Sequence, residues 1–200
     1  MILNTLNELR TKKRGYKKMD DNNNNNLDNS TLEVDLQLIQ IKKIDGEYSR
    51  RQIRSLVFHL LYAMEEFDYD VSLDSLIDNF NRGFDQEIEI DGEIATITQK
   101  VIDDRHELDK QLQPFLEKWR LERLGVCTKI ILRLGLWEML HDNVRTIIAI
   151  NEAVELAKCF TEKDAYKFIN GVLDRIATHL GKKDEKEDDD KATDSEEASD

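Results

Sequence analysis

The amino-acid sequence predicts an all-α fold, a bundle of seven helices set between flexible N- and C-terminal tails. Apolar residues recur at three- and four-residue spacing over residues 49–180, the periodicity of helices that bury one face. The connections between these segments are short, and the 200 residues include a single proline, Pro114. Such a chain covers its apolar faces by packing helix on helix, with no sheet.

A first helix, about 50–67, presents Ile53, Leu56, Val57, Leu60, Leu61 and Met64 on one face. A second, about 73–81, follows Ser72, whose hydroxyl suits the open N–H groups of a first turn, and buries Leu73, Leu76, Ile77 and Phe80. A third runs over about 92–112 with Ile94, Ile97, Val101 and Leu108 inward. Pro114 suits the first turn of a fourth helix, where a missing N–H costs nothing. That helix carries Phe115, Leu116, Trp119 and Leu124, and Gly125 closes it. The fifth, about 128–141, is apolar on most sides and is expected at the centre of the core. The sixth covers about 148–159. The seventh covers about 163–180, with Thr161 as its cap, Asp164 at the third position and Gly181 at its stop.

Residues 1–47 read as an N-terminal extension, mostly disordered, 48–181 as the helical domain and 182–200 as an acidic disordered tail. Residues 1–19 hold six Lys or Arg against one acid, and an asparagine-rich tract follows that has nothing with which to build a core. Met19 is an alternative start. Residues 31–44 alternate weakly, as a strand does. The net charge is −13, of which residues 181–200 carry −6. This excludes a general basic coat but not a local basic stripe facing nucleic acid. Cys127 and Cys159 stand 32 positions apart without a CxxC, which predicts two buried, reduced thiols rather than a disulfide or zinc site. The longest run free of Asp, Glu, Lys and Arg is ten residues, 55–64, against about 20 for a membrane span. With no apolar leader at the start, the protein is expected in the cytoplasm.

No phosphate loop, dinucleotide fingerprint, nucleophile elbow or HExxH is present. His59, His106, His141 and His179 lack metal-ligand spacing, so no metal, cofactor or catalytic residue is expected and the chain reads as no enzyme. Two patterns suit nucleic acid. At 100° per residue, Arg50, Arg51, Arg54, Phe58 and Tyr62 fall within about 120° of one another on the first helix. Guanidinium groups beside rings suit phosphates and unpaired bases, although a solvated helix end with the rings in the core explains the same pattern. The start of the last helix, with Lys163, Asp164, Lys167 and Phe168, offers open N–H groups and two cations to a phosphate; a plain capped amphipathic helix is the alternative.

The stretch Ile150-Asn151-Glu152-Ala153-Val154-Glu155-Leu156-Ala157-Lys158, with Lys167-Phe168-Ile169-Asn170-Gly171-Val172-Leu173-Asp174 after it, closely resembles the C-terminal signature of the NusB family. Ile131-Leu132-Arg133-Leu134, Trp137-Glu138 and Arg50-Arg51-Gln52-Ile53-Arg54 with Leu60-Leu61-Tyr62 match in order and spacing, so the likeness spans about 48–180. The resemblance implies two helical subdomains, three helices packed on four. It implies a transcription antitermination factor that pairs with NusE, a small-subunit ribosomal protein. The pair binds boxA RNA of ribosomal RNA leaders and acts within the RNA polymerase antitermination complex. It implies RNA contacts from Arg50, Arg51, Arg54, Tyr62, Asp164, Lys167 and Phe168. The acidic residue that family members carry at the start of the fifth helix is Thr128 here, which leaves Glu122, Thr128 and Lys129 as the expected partner contacts. Two other readings remain: a helical protein–protein adaptor without RNA binding, and a module like the one preceding RNA cytosine methyltransferase domains. The latter expects a catalytic domain afterwards, where this sequence has an acidic tail.

Overall fold

Ser49 opens the first helix, α1 (Arg50–Glu66), by a reciprocal cap. Its hydroxyl accepts the Gln52 N–H at 3.3 Å, and the Gln52 side-chain oxygen accepts the Ser49 N–H at 2.8 Å. Two donors that a helix start leaves open are thereby filled. The structure, a computed structural model, describes residues 41–141 and 144–181. Helix α2 (Leu73–Phe84) starts where Ser72 accepts the Ser75 N–H at 3.3 Å and ends at Asp85 in the left-handed region, φ 52°. It outruns the predicted 73–81 because Phe84 joins Phe80 in the core, with ring centroids 4.7 Å apart. Helix α3 (Glu93–Leu112) follows Gly92.

The predicted fourth helix does not form. The segment after α3 makes two 3-10 turns, Gln113–Phe115 and Leu121–Arg123, with Glu117 at φ 52° and Arg120 and Leu124 extended between and after them. A left-handed residue this close behind Pro114 stops helix propagation, and Leu116 and Leu121 each anchor the loop in the core instead. Gln113 holds the loop closed: its side-chain amide donates to the Trp119 carbonyl at 3.1 Å and accepts the Leu121 N–H at 3.1 Å. The fold class stands, but the described residues hold six α-helices, not seven.

Helix α4 (Val126–His141) begins two residues before its predicted start, and every residue from Ile130 to Met139 is buried. It is the central post. It packs on α1 and α3 of the N-terminal half and on α5 (Thr146–Phe160) and α6 (Ala165–His179) of the C-terminal half. Gly135 marks the tightest crossing, because a Cβ there would stand 2.9 Å from Leu173 Cδ1 and 3.5 Å from Ala153 Cβ. The last helix starts with Asp164 itself in the left-handed region, φ 72°; the Thr161 hydroxyl donates back to the Ala157 carbonyl at 2.6 Å. Thr161 therefore finishes α5 rather than capping α6.

Two arginines are interior. Arg54 on α1 donates to Glu138 on α4 at 2.6 Å, with both side chains 8% exposed. Arg133 on α4 grips Asp109 on α3 through two bonds, 2.7 and 2.9 Å, and reaches Glu65 on α1 at 2.9 Å. Lys129 adds a bond to Glu65 at 3.0 Å, and Tyr69 donates to the same carboxylate. Burial pushes the Glu65 carboxyl up, but the bonds from Tyr69, Lys129 and Arg133 outweigh it and hold it at about 2. Four ionic side chains thus tie α1, α3 and α4 into one unit.

Of the N-terminal extension only residues 41–47 are described, and they lie against the helical domain. Gln86 donates to the Ile41 carbonyl at 3.0 Å, Gln52 to the Lys42 carbonyl at 2.9 Å and Tyr48 to the Gln86 side chain at 3.2 Å. A tight turn pairs Ile44 with Glu47. The strand expected over 31–44 and the acidic tail fall mainly or wholly outside the described residues. Among the described residues no helix is long and apolar enough to cross a membrane.

Candidate nucleic-acid interface

The three arginines of α1 part company in three dimensions. Arg50 and Arg51 are exposed, with side chains about 70% open: Arg50 donates to Glu93 at 2.7 Å, and Arg51 grips Glu152 on α5 at 2.9 and 3.2 Å. Arg54 is buried, so it is not on the outer face where the helical wheel expects it. The wheel counts angle only, and Glu138 and Glu152 of the opposing helices meet this side of α1 and draw the guanidinium in. Phe58 is also interior, stacked on Phe160 at 4.7 Å with its edge neighbour His59. Of the two explanations for the ring pattern, Phe58 follows the core one.

Tyr62 is half-buried near the far end of α1, close enough to Cys127 and Glu66 for burial and then their charges to raise its phenol. Twelve residues of helix separate it from Arg50, about 18 Å of rise. It is not beside the arginines.

The start of α6 is brought toward them instead, by way of α5. Arg51 holds Glu152 and also feels the charge of Glu155 on the next turn of α5, and Glu155 in turn pairs with Lys158 at 2.6 Å. The Lys158 ammonium stands 5.8 Å from the centre of the Tyr166 ring, and that of Lys167 stands 5.7 Å from the same ring. Lys167 also pairs with Asp164 at 2.7 Å. On the other flank of the same turn, half-buried Phe168 meets the edge of Trp119 at 6.5 Å. The first turn of α6 therefore joins two neighbourhoods, an ion-paired one on α5 and an aromatic one on the loop after α3. The carboxylates raise their partner cations: Glu152 that of Arg51, Glu155 that of Lys158, Asp164 that of Lys167, mainly through hydrogen bonds. All stay charged in neutral solution.

Sequence reasoning assigns Lys158, Tyr166 and Trp119 no part in the site. Trp119 went into the core of a helix that does not exist and is in fact 55% exposed. The available signal was its neighbours, Lys118 and Arg120, a ring between two cations. The expected partner contacts are separated too: Glu122 is exposed on its turn, Thr128 half-buried, and the Lys129 ammonium turned inward to Glu65. Cys127 is half-buried but Cys159 is exposed, because the apolar face of α5 runs through Ala153, Leu156 and Ala157 and leaves position 159 outside. His59, in contrast, is fully interior. Among the described residues no group of three His, Cys, Asp or Glu is placed to hold a metal ion.

An all-helical pair of three-helix halves with cations and rings at their outer turns defines the fold class, and comparison narrows it. The NusB family model matches residues 51–178, and the chain belongs to the NusB family of transcription antitermination proteins. It is 38% identical over 128 residues to the transcription antitermination protein NusB of Staphylococcus haemolyticus, covering 64% of this chain and 98% of that one. The NusB of Staphylococcus aureus strain JH9 is 37% identical over 131 residues, again covering 64% and 98%. Among solved structures, T. maritima NusB superposes with a TM-score of 0.56 at 28% identity, covering 66% of this chain and 92% of that one. A chain from the crystal structure of a plectonemic RNA supercoil superposes at 0.58 and 23% identity, covering 67% and 97%, a likeness of fold.

Proposed function

We propose that this protein is an antitermination factor that, together with NusE, binds boxA RNA of ribosomal RNA leader transcripts and helps RNA polymerase resist termination. The observation that carries the reading is the band running from Arg50 and Arg51 across Lys158, Tyr166 and Lys167 to Phe168. It is a row of exposed cations beside half-buried rings on a protein of net charge −13. The cations are held by carboxylates in pairs open to water, which screens them, so a phosphate can take over the guanidinium or ammonium at little cost. Planar arginines then grip the backbone while the rings take unstacked bases. Arg54 serves this site from beneath, as the buried pair that fixes α1 on α4 and so sets where Arg50 and Arg51 emerge. Chemistry on a substrate has no part in the reading.

The reading is tested by gel shift of a boxA RNA with the full chain, with and without NusE, at two salt concentrations. Affinity should fall steeply with salt, because each phosphate contact releases counterions. The Arg50→Ala, Arg51→Ala double variant should bind more weakly with a shallower salt dependence. A wild-type chain that binds no RNA under any of these conditions, but still captures NusE, favours the adaptor reading instead.

A further inference from the structure

We propose that the loop between α3 and α4 is a second, ring-centred part of the RNA site, with Trp119 as its stacking platform. The inference rests on the RNA-binding reading above and extends it to residues outside the arginine-rich helix. Three observations carry it. Trp119 is the largest exposed apolar side chain of the described residues, open by 55%, and its main chain is held in place by the Gln113 amide, so the ring is displayed by a fixed loop. It meets Phe168 edge-on at 6.5 Å, which makes the two rings one continuous apolar surface. Lys118, Arg120 and Arg123, all exposed around it, have no carboxylate within ion-pair distance among the described residues, whereas Arg50, Arg51, Arg54, Lys158 and Lys167 each have one.

That last contrast matters most on an acidic molecule. The loop's three cations outnumber its two carboxylates, Glu117 and Glu122, and Glu117 is taken up by Arg175 at 3.4 Å, so an anionic polymer is the ligand of complementary charge. A tryptophan face flanked by such cations takes an unpaired base of any identity, and neighbouring phosphates fall to the lysine and arginines. The loop would therefore strengthen binding of a single strand without reading its sequence, while the strand crosses from Phe168 onto Trp119.

The experiment uses the full chain and a fluorescein-labelled single-stranded boxA RNA, followed by anisotropy with and without NusE. Trp119→Ala should weaken RNA binding on the order of tenfold or more, and Trp119→Phe should restore most of it. A triple Lys118→Ala, Arg120→Ala, Arg123→Ala variant should flatten the slope of log affinity against log salt by about 2. RNA should also shield the accessible tryptophan from acrylamide quenching; Trp137, the other one, is buried. If Trp119→Ala binds RNA like the wild type while the Arg50, Arg51 double variant does not, the platform is wrong and the wider reading stands. If Trp119→Ala loses NusE but keeps RNA, the loop is a protein contact and the inference fails. If the wild type binds no RNA at all, both readings fall. Should the alanine variant not fold, an unchanged salt slope in the triple variant overturns the proposal by itself.

Discussion

The cations of this protein live in two regimes, and comparing them separates what holds the molecule together from what it offers to others. Around α4, Arg54 and Arg133 are each buried to 7% exposure and locked to carboxylates from other helices. At the outer turns, Arg50, Arg51, Lys158 and Lys167 pair in water, and Lys118, Arg120 and Arg123 have no carboxylate partner among the described residues. The same side-chain chemistry is structural in the first region because removing one partner strands a desolvated charge, and exchangeable in the second because water replaces whatever leaves. Arginine content alone therefore says nothing about binding. Burial decides.

The sharpest break of this comparison is in the interior. Arg133→Ala and Arg54→Ala should each destabilise by about 3–5 kcal/mol in denaturant titration, because Asp109 and Glu65, or Glu138, lose their counter-charge. A joint replacement, Arg54→Met with Glu138→Leu, should recover most of that loss. If the single variants melt like the wild type, the interior pairs are not locks.

Next comes an interior group with no counter-charge. His59 is buried against Phe58 and Phe160, its Nδ1 2.5 Å from the Ser55 carbonyl and its Nε2 without a partner. Burial lowers its value from 6.5 to about 4, only partly opposed by the Ser55 carbonyl. A depressed value means the unfolded chain takes up the proton first as pH falls. The stability tied to neutral His59 is thus complete above about 6.5 and is lost on descending toward 4, by at most about 3 kcal/mol. His59→Leu should flatten thermal melts across that window. Glu65 acts lower, its contribution disappearing as pH falls from 4.5 toward 2.

Phe168 sits on the border between the two regimes, half-buried and edge-on to Trp119. Phe168→Ala should cost about 1–3 kcal/mol in RNA affinity if the ring stacks on a base. A fall in melting temperature without that loss would assign it to the core. The smallest effect is expected at the surface: Arg50→Ala with Arg51→Ala should shift folding stability by no more than about 1 kcal/mol per pair. A larger loss would move these arginines into the structural set.

Much of this was legible from local pattern. The starts of α1 and α2 were readable from Ser49 and Ser72, whose caps depend only on residues three positions away, and the burial of α4 was readable from its run of apolar residues. The family likeness was legible because its motifs are short contiguous strings, such as 150–158 and 167–174, that follow one another in fixed order. Several site residues were not. The helical wheel set Arg54 beside Arg50 and Arg51, because angle around one helix carries no information about Glu138, 84 positions further along. The loop after α3 reads as a helix for a similar reason: the spacing of Phe115, Leu116 and Trp119 fits a helical face, whereas with Glu117 in the left-handed region Leu116 and Leu121 reach the core from an irregular chain and Trp119 stays outside.

Sequence by itself determined that this chain is all-helical, where most helices begin and end, which faces are apolar and which family it belongs to. These depend on propensity, capping and periodicity, all of them short-range. Only the tertiary structure decided which arginines are sealed inside and which stay in water, that Phe58 is core, and that Trp119 stands exposed beside Phe168. Those outcomes turn on which carboxylate or ring arrives from a distant part of the chain, and desolvation, which sets their energies, exists only once the helices have packed.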